Sequence, residues 1–342
     1  MRPLLTLAFA LLPCLVAAQT PSPDCRDDRM RDRCASAEQE KARALFGLDP
    51  IEAHAGRDDE VRRVLYVDGY GYDLIAISAI RPRGRGAELR VHFPGDDERI
   101  AGSLTGALPL ELWRRIDTET GALSWAATSS PPSPAGQVVM CLHSWVYTLE
   151  AAIPGVRRMT HGGCGNGSGR EFATRLADMA VALFPHCAML DGKRHRNSAT
   201  RLRACGALSG RDRIAAARVM NGADAFRGIR GGVDAPRLAP YFAADATIDW
   251  SGEHSDPAAA ASFWASRMGP ADKSFAHLYI DRIEGVTPDR VRLLGTIGRT
   301  ADTLRGRGTG IERGAVEQIW TRQADGEFRI TRATVGPWRA GG

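Results

Sequence analysis

The apolar positions of the chain change their spacing along its length, and each spacing predicts a type of element. From Val61 onwards apolar and polar residues alternate, which is typical of half-buried β-strands. This pattern predicts strands at 61–67, 73–80, 88–93 and 138–151. Apolar residues three or four positions apart predict helices that begin near Pro109, Ser168 and Ser198, the second of them with a possible capping box at 168–171. The first half of the chain is therefore expected to form a small α+β unit.

The pattern changes again after about residue 209. The predicted helical segments are 215–220, 236–242 and 258–268, and the predicted strands are 246–250, 275–284, 290–300, 315–324 and 327–335. Asp256 and Pro257 supply an N-cap and a first-turn proline for the third helical segment. Asp325-Gly326 predicts a tight hairpin with a type I′ turn between the last two strands.

Two segments of this half carry a more specific pattern. LAPYFAADATID at 238–249 reads as a small helix, an acidic turn and a first strand, and EQIWTRQADGEFRIT at 317–331 reads as a closing hairpin with one aromatic strand. Together they resemble the nuclear-transport-factor-2-like (SnoaL-like) superfamily over about residues 211–338. The resemblance implies a curved antiparallel sheet wrapped around helices, which forms a cone with a pocket at its open end. The expected fold class is α+β: a disulfide-stabilised N-terminal α+β domain, then a cone-shaped α+β barrel.

The N-terminus has the pattern of a secretory signal peptide. Arg2 gives a short basic start, an apolar run follows at 4–16, and small residues precede a cleavage site before Gln19. The apolar run is too short to span a bilayer comfortably, so we expect a secreted or periplasmic protein without a membrane span. The predicted organisation is a signal peptide at 1–18, a solvated, charged and partly helical lead-in at 19–60, an α+β domain of unrecognised family at 61–208, and the cone-shaped domain at 209–342.

The cysteine count agrees with export. Once Cys14 is removed with the signal peptide, an even number of cysteines is left, which in an exported chain predicts disulfides. Pairing of near neighbours gives Cys25–Cys34, Cys141–Cys164 and Cys187–Cys205, although six cysteines allow about 15 connectivities. Metal binding is the rival interpretation, because His161 lies near Cys164 and His186 beside Cys187. The paired spacings of zinc sites are absent from the sequence, so we expect no metal.

Charge narrows the range of partners. The chain of 342 residues has a net charge of +5 from 45 basic and 40 acidic residues. Only Lys41, Lys193 and Lys273 are lysines, and the arginines are spread along the whole chain rather than gathered in one patch. Together with export, this predicts no nucleic-acid partner. The resemblance implies a small hydrophobic molecule or a protein as partner, and no cofactor is expected. A homodimer through the outer face of the cone's sheet and a monomer in which the first domain covers that face both stay open.

The strand at 275–284 supplies candidate catalytic residues. Alternation places His277 and Tyr279 on one face of this strand, and if that face lines the cone, both point into the pocket with Asp249 of the first strand. A carboxylate desolvated in an apolar pocket has a raised pKa and can act as a general base. A neighbouring Tyr or His can donate a hydrogen bond to a developing oxyanion. Such a site would suit proton abstraction, dehydration or hydration of a small hydrophobic molecule.

Three tryptophans of the same half, Trp250, Trp264 and Trp320, are candidate ligand contacts. No motif specific to one enzyme branch surrounds Asp249 or His277, so the favoured hypothesis is an exported protein whose cone-shaped domain binds a ligand or partner without catalysis. The alternative is a small-molecule lyase, isomerase or hydrolase that acts by general acid–base chemistry. A third hypothesis is a secreted effector or immunity-type module whose first domain supplies the specificity.

Overall fold

The computed structural model describes residues 43–57, 59–68, 73–94, 102–123, 125, 145–154, 156–162, 168–192, 195–226, 234–268, 276–300 and 311–340. The predicted signal peptide and four of the predicted disulfide cysteines (Cys25, Cys34, Cys141 and Cys164) lie outside the described residues. Among the described residues, no helix is both long enough and apolar enough to cross a bilayer.

The first half of the chain forms a six-stranded antiparallel sheet. In chain order its strands are β1 (Glu60–Asp68), β2 (Asp73–Arg81), β3 (Glu88–His92), β4 (Ser103–Ala107), β5 (Trp145–Ile153) and β6 (Val156–Gly162). Across the sheet the order is β4-β3-β2-β1-β5-β6. Strands that follow one another in the chain therefore lie side by side in the sheet, except that β5 pairs with β1 and not with β4.

One face of this sheet carries helices. They are α2 (Leu110–Gly121), α3 (Ser168–Leu183), α4 (Pro185–Ala188) and α5 (Ser198–Cys205). Val64 and Tyr66 of β1 are buried in the same apolar core as Trp113 of α2 and Phe172 of α3. The hydroxyl group of Tyr66 donates a hydrogen bond of 2.6 Å to the carbonyl of Ala173, which ties the middle strand to α3.

The opposite face is covered by residues 43–57, here called the strap, which contain helix α1 (Ile51–Gly56). Phe46 of the strap packs on Leu65 and Ala76 of the sheet, and Ile51 packs in a second apolar cluster with Val61, Ile80 and Ala152. The sequence predicts this segment as part of a solvated lead-in. The structure differs because the apolar side chains of the strap supply the cover that the second face of the sheet needs.

The second half forms a seven-stranded sheet with the order β7-β10-β11-β12-β13-β8-β9. Its strands are β7 (Leu208–Gly210), β8 (Phe242–Trp250), β9 (Glu253–His254), β10 (Ala276–Thr287), β11 (Arg290–Thr300), β12 (Ile311–Arg322) and β13 (Phe328–Ala340). The pairs β7–β10 and β13–β8 are parallel, and the others are antiparallel. Register shifts place extra residues in β10 and β13 and mark β-bulges, which bend and twist the strands that carry them.

Helices α6 (Arg213–Ala223), α7 (Ala235–Leu238) and α8 (Ala260–Met268) accompany this sheet, with 3-10 turns at Asp224–Phe226, Ala239–Tyr241 and Pro257–Ala259. The carboxylate of Asp212 caps α6 by accepting a hydrogen bond of 2.8 Å from the Ala215 amide. The carboxylate of Asp256 accepts one of 3.1 Å from the Ala258 amide, which confirms the predicted N-cap. The order helix, strand, helix and four strands agrees with the sequence prediction.

The apolar cores of the two halves are continuous. One cluster of buried residues includes Leu190 and Leu202 of the first half as well as Met220 and Phe226 of the second. The Asn221 side chain joins the halves further, since its amide donates to the Met189 carbonyl at 3.0 Å and its oxygen accepts from the Asp191 amide at 3.0 Å.

The predicted disulfide between Cys187 and Cys205 is present, with a Cα–Cα distance of 5.2 Å. It joins α4 to α5, and both cysteines are fully buried. The ligand atoms of His186 and these two cysteines lie within 4.8 Å of one another. Because the two sulfur atoms are bonded to each other, neither is available as a thiolate for a metal ion.

Candidate ligand site

The interior of the second half is an aromatic cluster centred on Phe226. The ring centroid of Phe226 lies 5.6 Å from that of Trp264, 5.9 Å from that of Trp320, 5.7 Å from that of Phe242 and 5.9 Å from that of Tyr241. All four contacts are edge-to-face, the arrangement that aromatic quadrupoles favour. We call these five residues the aromatic cluster.

The strands position these rings by simple alternation. In β8, Ala246, Ile248 and Trp250 are buried, whereas Thr247 between them is exposed. In β12 the buried face carries Val316, Gln318 and Trp320. Helix α8 closes the cluster with Trp264, one turn before Met268. The rings of Trp250 and Trp264 lie 5.2 Å apart, so all three tryptophans predicted as ligand contacts belong to one connected set.

Two fully buried side chains in this interior, Gln318 and Trp264, carry hydrogen-bond donors. Gln318 is 0% exposed, and its Oε1 accepts a hydrogen bond of 3.0 Å from Nε1 of Trp320. Its Nε2 has no hydrogen-bond partner among the described residues. Trp264 is also 0% exposed, and its Nε1 has no partner there either. An unsatisfied buried donor costs about 1–3 kcal/mol, so each of these two groups favours an incoming hydrogen-bond acceptor.

The two donors are linked through the same rings. Trp264 contacts Phe226, Phe226 contacts Trp320, and Trp320 is hydrogen-bonded to Gln318. Apolar walls with a few placed polar groups are the usual composition of small-molecule sites. An uncharged molecule with an oxygen acceptor would match this combination, since a charged molecule would lose its hydration against aromatic walls.

The structure places the predicted catalytic residues elsewhere. In β10 Leu278 is fully buried, whereas Tyr279 is 53% exposed and His277 is partly exposed, so the core face of this strand is the face of Leu278. The rings of His277 and Tyr279 contact each other with centroids 4.4 Å apart. Asp281 on the same strand lies within 3.3 Å of the hydroxyl of Thr296 and accepts its hydrogen bond.

Asp249 is half-buried at the end of β8. Its Oδ1 accepts a hydrogen bond of 2.8 Å from the Gly252 amide, which shapes the turn into β9, where Ser251 and Gly252 have φ values of 55° and 90°. Three strands separate β8 from β10 in the sheet, so the sheet order does not bring Asp249 beside His277 and Tyr279. Their catalytic roles stay predictions.

Three buried residues of this interior, Phe226, Gln318 and Asp224, were not predicted from the sequence. Gln318 had a usable signal, because it is the polar member of an otherwise apolar alternation between Val316 and Trp320. Phe226 and Asp224 form a short 3-10 turn after α6, and periodicity does not detect such turns. Asp224 is buried in the same turn as Phe226. A carboxyl group therefore lies two positions before Phe226 in the chain, and Phe226 is the central ring of the aromatic cluster.

Comparisons with known proteins add little to this geometry. No protein-family model and no curated protein matches the chain. Among solved structures, similarity covers about a third of it. An NTF-2 like protein of unknown function from Pseudomonas aeruginosa is 15% identical, with 36% of this chain and 95% of that one covered and a TM-score of 0.27. A protein from Shewanella frigidimarina, described as a candidate ketosteroid isomerase, is 15% identical, with 36% and 94% covered and a TM-score of 0.28.

A protein of unknown function with a cystatin-like fold from Nostoc punctiforme is 12% identical, with 35% of this chain and 87% of that one covered and a TM-score of 0.27. TM-scores of this size support no inference about fold or activity. The function of the chain is therefore inferred from its own residues.

Proposed function

We propose that residues 209–342 form an NTF2-like cone that binds a small, uncharged and largely apolar molecule, and that the protein acts by binding rather than by catalysis. The acceptor atom of the ligand would meet Nε1 of Trp264 and Nε2 of Gln318, and its apolar part would lie against the aromatic cluster. We also propose that the protein is exported. One buried disulfide is compatible with export, because disulfides persist in oxidising compartments.

Two features support a cone. The chain order of α6, α7, β8, α8 and four long antiparallel strands is the order on which the resemblance rests. The bulges in β10 and β13 supply the bends that a sheet needs in order to wrap around helices. The observation that carries the binding function is the pair of fully buried donors without partners among the described residues.

A titration with two matched probes tests the proposal. Tetralone is a bicyclic aromatic ketone, and tetralin has nearly the same ring frame without the oxygen. We expect the full chain to bind tetralone more tightly than tetralin, detected by quenching of tryptophan fluorescence. The substitutions Gln318→Leu and Trp264→Phe should each weaken tetralone binding about tenfold, which corresponds to one lost hydrogen bond to a buried group. Neither should weaken tetralin binding to that extent.

Matched controls are available in the same chain. Gln323 lies in the β12–β13 turn and donates to the Thr321 carbonyl at 3.0 Å, so Gln323→Leu makes the same chemical change outside the cluster. Trp125 donates to the Thr120 carbonyl at 3.3 Å in the first half, so Trp125→Phe controls for the indole. Equal affinity of the unsubstituted chain for the two probes, or equal loss in the test and control variants, would contradict the proposal.

The alternative function is acid–base catalysis, and buried Asp224 is the observation that favours it. A carboxylate beside apolar walls can remove a proton next to a carbonyl group. Incubation of tetralone with the protein in deuterated water distinguishes the two functions. Binding alone leaves the exchange rate of the protons beside the ketone at its solvent value, whereas catalysis accelerates it in the unsubstituted chain and not in Asp224→Asn.

A further inference from the structure

A buried network of charges joins the strap to the sheet beneath it. Glu150 of β5 is fully buried, and both of its oxygens accept hydrogen bonds from arginines. Arg43 of the strap donates to Oε1 from Nε at 2.9 Å and from Nη2 at 2.5 Å. Arg63 of β1 donates to Oε2 from Nη1 at 3.1 Å. Arg63 is directly opposite Glu150 in the β1–β5 pairing, which fixes this geometry.

Arg63 also contacts the strap directly. It is 2% exposed, and its Nη1 donates to the carbonyl of Asp49 at 2.9 Å while its Nε donates to the hydroxyl of Ser78 at 3.2 Å. Its Nη2 lies 3.3 Å from Nε2 of His54, which belongs to helix α1 of the strap. The guanidinium group therefore contacts the sheet on one side and the strap on the other.

The contact between Arg63 and His54 determines the protonation state of the imidazole. A guanidinium group is always a donor in proteins, so Nε2 of His54 must accept and the ring must be neutral. Its proton is then on Nδ1, which lies 3.4 Å from Oδ2 of Asp59. A protonated His54 would place an N–H group against the guanidinium of Arg63. It would lose the hydrogen bond and bring two positive charges together.

We propose that the strap is a pH-sensitive cover, held on the sheet by neutral His54 and released when His54 is protonated. The charged groups that face His54 are Asp49, Arg57 and Asp59 around the strap and Arg63 from β1, with Glu150 of β5 behind Arg63. Asp59 favours the protonated ring, but it lies at a longer distance than a good hydrogen bond requires. Release would uncover Leu65 and Ala76 and the apolar cluster around Val61.

Burial, followed by the charge of Arg63, lowers the pKa of His54 below its ordinary value of 6.5. The covered state is therefore fully stabilised above about pH 6.5, and it loses stability as the pH falls through and below that value. His92 lies on the same face in β3, and because its pKa is lowered from 6.5 to about 4, its protonation can add to the loss of stability over the same pH range. His54 differs from His92 in belonging to the strap itself and in contacting Arg63, so the two histidines are separated by substitution.

Hydrogen exchange of the full chain, corrected for the intrinsic pH dependence of amide exchange, tests the proposal. We expect the amides of residues 43–57 to be protected at about pH 7.5 and to lose protection by up to about tenfold for each pH unit below about 6.5, until the lowered pKa of His54 in the covered state is reached. The amides of α3 should keep their protection over the same range. In His54→Gln the side-chain oxygen can accept from Arg63 at any pH, so the strap should stay protected.

Two further variants separate the proposal from general acid instability. The ordinary pKa of lysine is about 10.4, so His54→Lys stays charged at about pH 7.5 even when burial lowers that pKa by about two units. It should leave the strap unprotected at about pH 7.5 while α3 stays protected. His92→Gln should leave the onset of release unchanged. Strap protection that does not change with pH in the unsubstituted chain, or a transition that persists in His54→Gln, would overturn the proposal. If His54→Lys does not fold, the pH dependence of strap protection in His54→Gln still tests the proposal.

Discussion

Phe226 is the residue on which the interior of the second half depends most. It contacts four aromatic rings, and its side chain is fully buried. Phe226→Ala would leave a cavity that those rings cannot fill, so we expect a loss of about 3–5 kcal/mol in the free energy of unfolding, measured by urea denaturation.

Phe263 of α8 is the matched control for this substitution. It is partly exposed, with the guanidinium group of Arg267 5.0 Å from its ring. Phe263→Ala should cost only about 1 kcal/mol, because less apolar surface leaves the core. Similar losses in the two variants would show that Phe226 does not have the central position assigned to it.

His92 makes the stability of the first half depend on pH. Burial, together with the charges of Arg63 and Arg90, lowers its pKa from 6.5 to about 4. The folded state therefore favours the neutral ring, and stability is fully present above pH 6.5 and lost as the pH falls towards 4. At about 1.4 kcal/mol per pKa unit, the loss is roughly 3 kcal/mol.

Urea denaturation at several pH values measures this loss. Because His54 contributes to the same dependence, the comparison is between His54→Gln and the double variant that also carries His92→Gln. The double variant should show a flatter pH dependence. Identical slopes in the two proteins would contradict the role given to His92.

Single residues also show where sequence reasoning reaches its limit. The alternation in β10 correctly predicted two faces, but it could not say which face is buried, because His277 and Tyr279 can pack as well as Leu278 can. The full burial of Leu278 decides it. The burial of Trp250, Trp264 and Trp320 could be predicted from the sequence, because a large apolar side chain on a strand or helix is most stable in the core.

Among elements, the pair α4 and α5 depends on its disulfide. The Cys187–Cys205 bridge closes a loop with a sequence separation of 18. In the loop-entropy model a bridge of this span stabilises by about 3 kcal/mol. The double variant Cys187→Ser/Cys205→Ser should therefore lose about that much unfolding free energy, measured by urea denaturation under oxidising conditions. Unchanged stability would mean that the bridge contributes nothing to the fold.

Elements with local signals were predicted well. The N-cap Asp256 is present, and so is a turn at Asp325-Gly326, where Gly326 has a φ of 85°. The predicted type I′ form of this turn is wrong, because Asp325 does not have the positive φ that this turn type needs. The elements β4, β6 and β7 were missed, because they are short or, like β6, rich in arginine. The strap was expected in solvent for a related reason. Two of its charged residues have distant partners, Arg43 with Glu150 at a separation of 107 and Glu52 with Arg157 at a separation of 105, and no local pattern reveals such pairs.

For the whole molecule, the continuous core predicts cooperative unfolding. The apolar cluster runs from the first half into the second, and Asn221 bridges the halves by two hydrogen bonds. Scanning calorimetry should therefore show one heat-absorption peak whose calorimetric and van't Hoff enthalpies agree. Two separated peaks, one of them shifted by Phe226→Ala and the other by the loss of Cys187–Cys205, would show two independently stable domains.

The binding function is tested most directly at the indole of Trp264. Selective isotope labelling of the seven tryptophans gives one proton–nitrogen NMR signal for each indole, and Trp264→Phe identifies the signal of Trp264 by its loss. A hydrogen bond to a ligand oxygen moves an N–H proton signal downfield. We predict that tetralone moves the Trp264 signal downfield, that tetralin does not, and that Gln318→Leu reduces the shift. A Trp264 signal that stays in place while tetralone is bound would contradict the binding function.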